Sequence, residues 1–359
     1  MDTKIEELLR QAVAAGASDI HLKVGSAPVV RVSGELTRLD GLEALTPGDT
    51  QAYAESLFTQ RAAADFKDTG AADFAFGRQD VGRFRVTAFR QRGSVSIVLR
   101  RVVPGSRSFS DLGLPRIIEK LAGSESGLLL VTGPSGSGKT ATIASILDWI
   151  NGSRTASILT IEDPIEILHP DKRSVVVQRE VGVDTPSAAE AVRGALRHDT
   201  DVIMISEIDD HETARAAIAA AETGHLVISS MRTTDPADTV DRIISFFPEP
   251  QQRVARGQLA SQLLAILSQR LLDGQSGEKT LACELVTNNE RVQEWVMAGA
   301  EATALIDIIK ESEFFGMQTF DQALLKLVID KSVDLPVATS HARNVHEMRA
   351  KAMAAGIPI

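Results

Sequence analysis

A chain of 359 residues, 43% hydrophobic and 24% charged, is long enough for two globular domains. A net charge of −10 and only 4% aromatic residues argue against bulk nucleic-acid binding and against a base-stacking platform. One cysteine, Cys283, excludes an intrachain disulfide, and no apolar run reaches the roughly 18 residues of a membrane helix. The opening MDTKIEELLRQAV is charged and helical in pattern, without a signal-peptide core. The expectation is a cytoplasmic protein with no span of its own, which sits at a membrane only through partners.

In chain order, Ile5, Leu8, Leu9, Ala12 and Val13 fall on one helical face, stopped by Gly16. DIHLKVG then alternates, and Val30, Val32, Leu36 and Leu39 continue the alternation around a Ser33–Gly34 turn. A polar helix is expected over roughly 47–67, followed by two strands, GRFRVTAF and GSVSIVLRR, separated by Arg90–Gly93. Residues 1–102 therefore read as a small α+β domain. The Pro-, Gly- and Ser-bearing segment 103–115 reads as a linker. Over 116–270 the short apolar runs GLLLVTG, SILTIED, VVVQ, DVIMIS and GHLVISS alternate with helical stretches. That grammar predicts an α/β domain with a mostly parallel sheet covered by helices. From about 252 the pattern reads as helical almost to the end, so 271–359 is expected to be a helical C-terminal region.

GPSGSGKT, residues 133–140, fits G-x-x-x-x-G-K-[ST] between an apolar strand, Leu128–Val131, and a helix carrying Ile143, Ile146, Leu147 and Ile150. Glycines let backbone N–H groups close around phosphate oxygens, and the helix start adds its positive dipole end. Ser135, Gly136, Ser137, Gly138, Lys139, Thr140 and Ala141 are the candidate ATP cradle. Lys139 would reach the β- and γ-phosphates, and the Thr140 hydroxyl would hold Mg²⁺. Two apolar runs end in acids, at Glu162 and Asp163 and at Glu207. Beside a phosphate loop, such carboxylates can orient or deprotonate water, and Glu207 can help hold Mg²⁺ through water. Asp209 and Asp210 read as the capped start of the next helix. His225, before an apolar strand, reads as structural by itself. Arg232, at the far end of that strand, reads as a phosphate contact or as a surface arginine.

Taken together, these blocks resemble the secretion ATPase superfamily of bacterial type II secretion and type IV pili, in particular its PilT-type pilus retraction motors. ASDIHLKVGSAPVVRVSGEL resembles the N-terminal domain of that family, and ILTIEDPIEILH its Asp box. REVGVDT with EAVRGALRHD is similar to the segment before Walker B, AAETGHLVISSMRTTDPADTVDRIISFFP to the His box, and GMQTFDQAL to the C-terminal tail. The resemblance implies a PAS-like N-terminal domain, a RecA-like ATPase core, a homo-hexameric ring with ATP between subunits, and an inner-membrane platform protein as partner. It implies that Glu207 is the Walker B glutamate, Glu162 the Asp-box glutamate and His225 the first His-box histidine. Arg85 and Arg100 would be the paired arginines that reach ATP from the N-terminal domain and neutralise charge on the transferring phosphoryl group.

The chain departs from the family pattern at four places. Ser206 stands where glycine is usual, Asp209 where arginine is usual, and Arg232 where the second His-box histidine is usual. RVQEWV (Arg291–Val296) replaces the AIRNLI-like motif of retraction motors. The first three crowd and recharge the pocket, and Arg232 is expected to take over phosphate or carboxylate pairing near Glu207. Three readings compete: a pilus-type motor that retracts, assembles or secretes; a hydrolysis-impaired subunit working with a competent paralogous ATPase; and a nucleic-acid translocase, which the acidic composition disfavours.

Overall fold

A computed structural model describes residues 3–32, 34–78, 80–102, 105–275 and 277–357. Ser33 of the expected turn, and 103 and 104 of the expected linker, lie outside the described residues. The chain divides into two compact units: Met1–Gly105 with Pro164–Leu168, and Ser106–Asp163 with His169–Ile359.

The first unit is built on a six-stranded antiparallel sheet. Its strands are β1 (Asp19–Leu22), β2 (Val29–Val32), β3 (Glu35–Arg38), β4 (Ala71–Arg78), β5 (Gly82–Gln91) and β6 (Ser94–Val102), in the order β3-β2-β1-β6-β5-β4. Arg92 and Gly93 join β5 to β6 with φ of 50° and 79°, the mirror-image turn whose twist suits a hairpin. Alternate residues of β5 and β6, among them Phe84, Val86, Ile97 and Leu99, are buried with Ile5 and Leu9 of the first helix, Thr3–Ala14. The helix expected over 47–67 is instead two, Pro47–Leu57 and Gln60–Thr69. Phe58 leaves helical geometry at ψ 135° to pack on Phe66 and Phe74, and Thr59 caps the new helix by accepting from the Ala62 N–H. Burial of an aromatic ring here outweighs continuation of the helix.

The second unit contains a seven-stranded sheet. Its strands are β7 (Gly127–Thr132), β8 (Ser157–Glu162), β9 (Val175–Glu180), β10 (Val202–Ile205), β11 (Leu226–Met231), β12 (Leu263–Asp273) and β13 (Lys279–Thr287), in the order β13-β12-β7-β11-β10-β8-β9. All neighbouring pairs are parallel except β12 with β13. Every residue of β7, β10 and β11 is buried, because helices cover both faces and no solvated face demands alternation. Two clusters share this sheet, Leu128, Leu130, Ile203 and Val227 on one face and Leu129, Val131, Ile146 and Ile228 on the other.

The expected helical continuation from 252 is corrected over Leu263–Thr287. The helix Glu249–Gln262 ends there, and β12 and β13 extend the sheet. LLAILSQRLL is apolar enough for a buried helix or a buried strand, and periodicity does not separate the two. The open edge of β7 decides, since β12 pairs with it from Leu263 to Ser268. The boundary expected at 270 therefore falls inside a strand. Helices do follow from Glu290, and β13 anchors them: Arg343 grips Glu284 with Nη1 at 2.9 Å and Nη2 at 2.7 Å. At Arg291–Val296 the helix Glu290–Ala298 runs from an Asn289 cap to a left-handed Gly299. Among the described residues, no helix is long and apolar enough to cross a membrane.

Candidate active site

Strands β7, β11, β10 and β8 are parallel neighbours, so their C-terminal ends form one edge. After β7 the chain crosses to β8 and only later returns to β12 on the other side of β7. Such a switch leaves a crevice outside the strand ends, where open α/β sheets bind ligands. The phosphate loop, the Ser206–Glu207 segment, Arg232 and Glu162 all emerge along this edge.

The loop after β7 is folded tightly on β12. Thr132 and Ser268 share a hydroxyl hydrogen bond of 2.7 Å, and the Gln269 side-chain amide donates to the Ser137 carbonyl at 2.8 Å. A Cβ on Gly133 would collide with the Gln269 carbonyl and lie 2.6 Å from Ser137 Oγ, so only glycine fits at its φ of 148°. Gly136 and Gly138 also take positive φ, 79° and 90°. Pro134, Ser135 and Gly136 are exposed while Ser137 is buried.

The helix Lys139–Ser153 starts at left-handed Gly138 without a side-chain cap, which leaves its first N–H groups and positive dipole end for an anion. The Lys139 amine folds back onto the carbonyls of Gly133 and Pro134, at 2.7 and 3.1 Å. Burial lowers its pKa below the ordinary lysine value; the Glu207 charge opposes this and the Arg232 charge adds to it. Ser137 Oγ is buried without a hydrogen-bond partner among the described residues. A glycine cradle, an uncapped helix start, a lysine resting on weak carbonyl partners and an orphaned hydroxyl fit a chain of phosphates. Thr140, exposed beside them, has the hard oxygen that Mg²⁺ takes.

Glu207 follows β10 by two residues, yet the backbone around it is still paired to both neighbours. The Ser206 N–H donates to the Ile161 carbonyl at 2.9 Å, and the Ile208 N–H to the Ser230 carbonyl at 3.0 Å. The Ser230 hydroxyl donates to the Ser206 carbonyl at 2.6 Å. Arg232, one residue beyond β11, grips both carboxylate oxygens of Glu207, Nε to Oε1 at 2.8 Å and Nη2 to Oε2 at 2.9 Å. Glu162 ends β8 and is 6% exposed; its Oε1 accepts from the Thr160 hydroxyl at 2.6 Å and the Gln178 amide at 2.9 Å. Gln178 in turn accepts from the His169 N–H at 2.9 Å. Asp210 caps the next helix by accepting from the Thr213 N–H at 2.8 Å, while Asp209 is exposed ahead of it.

His225 requires a correction, because the structure does not bring it to this edge. It precedes β11 at the strand's N-terminal end, where its carbonyl accepts from the Gly127 N–H at 3.1 Å. Its ring Nδ1 lies 3.1 Å from the Ala220 carbonyl and 3.2 Å from Thr223 Oγ1, closing the end of the helix His211–Glu222. The length of β11 separates it from Arg232 by about 20 Å.

Arg85 and Arg100 belong to the first unit and face each other across β5 and β6 in a row that continues through Asp19 to Arg31. Arg100 Nε donates to Asp19 Oδ1 at 2.8 Å, and Arg85 Nη1 to Glu166 Oε1 at 3.4 Å. Glu166 lies in Pro164–Leu168, the segment that follows the end of β8 and packs with the first unit. Burial would raise the Asp19 carboxyl, but hydrogen bonds from Arg100 and Ser18 and the charges of Arg100 and His21 hold it below the ordinary value. Ser268, Gln269 and Gln178 join the site without belonging to any of its sequence motifs. The signal for the first two was a polar pair inside an otherwise apolar run.

A RecA-like sheet carrying a phosphate loop and a strand-end glutamate defines a P-loop ATPase. The family model for type II/IV secretion system proteins matches residues 70–354, and the chain belongs to that family. It is 37% identical over 324 residues to the type IV pilus retraction ATPase PilT of Pseudomonas aeruginosa, which covers 90% of this chain and 94% of PilT. To the type IV pilus ATPase PilU of the same organism it is 34% identical over 347 residues, 96% of this chain and 90% of PilU. The crystal structure of the pilus retraction motor PilT with bound ADP matches with a TM-score of 0.85 at 41% identity, over 96% of this chain and 99% of that one.

Proposed function

We propose that this chain is the ATP-hydrolysing motor of a type IV pilus-like machine, with pilus retraction as its output. The observation that carries the reading is the strand-end edge, where phosphate loop and Glu207 emerge on either side of β11 in a chain similar over nearly its whole length to a pilus retraction ATPase. Backbone N–H groups of Ser135–Ala141 and the Lys139 amine cradle the phosphates. Glu207 orients and deprotonates the attacking water, and Glu162 supports the same edge from β8. Thr140, with Glu207 through water, would hold Mg²⁺, which would supply positive charge to neutralise the phosphates. In a homo-hexamer, Arg85 and Arg100 leave their own carboxylates to meet the nucleotide of a neighbouring subunit. The ring works in the cytoplasm against an inner-membrane platform protein.

A second reading is a hydrolysis-impaired subunit that works with a competent paralogue. The observation favouring it is the fork of Arg232 on both oxygens of Glu207. Mg²⁺-dependent ATP turnover separates the two. The motor reading expects turnover in the wild type and near-complete loss in Glu207→Gln. Nucleotide binding without turnover in either would sink the motor reading and leave the partner.

A further inference from the structure

The fork on Glu207 is a charged group placed between the base and the phosphate site. Met231 pairs in register with Thr132, and the Gly133 N–H donates to the Met231 carbonyl at 3.2 Å. Arg232 therefore leaves its strand beside the first residue of the phosphate loop, with β10 and Glu207 on its other flank. Its side chain is 69% exposed and that of Glu207 26%. An ion pair so open to solvent holds weakly, whereas a guanidinium on a phosphate makes charge-assisted, two-pronged bonds. The charges of both members of the pair act on the Lys139 amine, which rests on the carbonyls of Gly133 and Pro134.

We propose that Arg232 is the residue by which this ATPase distinguishes ATP from ADP: its guanidinium holds Glu207 until a γ-phosphate arrives, then moves to the γ-phosphate and frees the carboxylate. The inference rests on the ATPase reading above but not on any pilus role. Before nucleotide enters, both cations of the pocket are occupied within the chain, Lys139 by two carbonyls and Arg232 by Glu207. A triphosphate offers each a better anion. Arg232 leaves its strand one strand spacing, about 4.8 Å, from the strand that runs into the phosphate loop, which puts its long side chain within range of a terminal phosphate held there. A diphosphate offers the cradle its β-oxygens and leaves the fork closed. Glu207 is then free to act only while a γ-phosphate is bound, and is covered again once phosphate leaves.

The test is titration calorimetry of the full chain with Mg²⁺, using ADP and the non-hydrolysable imido analogue of ATP. Wild type, Arg232→Gln and Arg232→Lys are compared, with thermal melting as a check on folding. The proposal expects Arg232→Gln to weaken the triphosphate analogue about tenfold and ADP less than about twofold, with Arg232→Lys between. A purely structural pair would not move that ratio. Equal weakening of both nucleotides, or no change in either, overturns the proposal. Should Arg232→Gln fail to fold, Arg232→Lys reads the same ratio. A wild type that binds neither nucleotide overturns the proposal together with the ATPase reading, whereas binding without discrimination overturns the proposal alone.

Discussion

The second unit contains two two-pronged arginine–glutamate pairs, one side-on through Nε and Nη2 and one end-on through Nη1 and Nη2, in different surroundings. Arg232 holds Glu207 at the strand-end edge, with side chains 69% and 26% exposed. Arg343 holds Glu284 under the C-terminal helices, with side chains 36% and 2% exposed. Burial raises the Glu284 carboxyl above its ordinary value, against the opposing charge and hydrogen bonds of Arg343. The chemistry is shared and the solvent is not. A buried fork cannot open without stranding a charge, so it fastens helices to β13. An exposed fork opens cheaply, so it can serve a ligand.

The largest effect that sharpens this contrast is on turnover. Glu207→Gln keeps the shape of the edge and removes the base, so ATP hydrolysis falls about 10²- to 10⁴-fold while the melting temperature barely moves. On stability the order reverses. Arg343→Gln leaves Glu284 buried and unpaired and costs about 3–5 kcal/mol in denaturant unfolding, most of it recovered when Glu284→Gln is added. With Arg343 gone, the folded-state pKa of Glu284 stands still further above its unfolded value. The penalty is then present above the folded pKa and is relieved as pH falls through it toward the unfolded value. Arg232→Gln, by contrast, changes unfolding by only about 0–1 kcal/mol. Comparable destabilisation by the two arginine changes would break the comparison.

Smaller effects concern the acids that hold other elements in place. Asp19→Asn costs about 1 kcal/mol at neutral pH, since its exposed partner Arg100 is screened by solvent. The folded pKa of Asp19 lies below the unfolded value. The stabilisation is therefore complete above the unfolded pKa, about 4, and lost as pH falls below that value through the folded one, so the two melting curves should stay apart at about pH 4 and converge only at lower pH. Asp210→Ala removes a helix cap and costs about 1 kcal/mol, with ATP turnover unchanged.

Much of the site could be read directly because it is local in the chain. A phosphate loop is one strand, one turn and one helix start, and its glycines are demanded by φ values within that turn. Glu207 was marked by an apolar run that stopped at an acid. His225 was misplaced because a motif in one dimension does not say which end of a strand faces the phosphates. The parallel register of β11 with β7 puts it at the far edge. Gln269 and Ser268 were passed over because they act on residues more than a hundred positions earlier, through a pairing of β12 with β7 that the apolar run around them does not announce. Phe58 ended a helix that its neighbours would have continued, for the sake of two distant rings.

By itself, then, the sequence determined where a phosphate loop and strand-end carboxylates stand in the chain, because a glycine turn before a helix start and acids that close apolar runs are properties of short segments. Tertiary structure alone decided which of those residues meet. It set Arg232 on Glu207, held Arg100 on Asp19 and Arg85 on Glu166, and left His225 away from the phosphate edge. Charge pairing depends on distances of about 3 Å and on access to solvent. In this chain those are fixed by strand order and register, which no short stretch of residues contains.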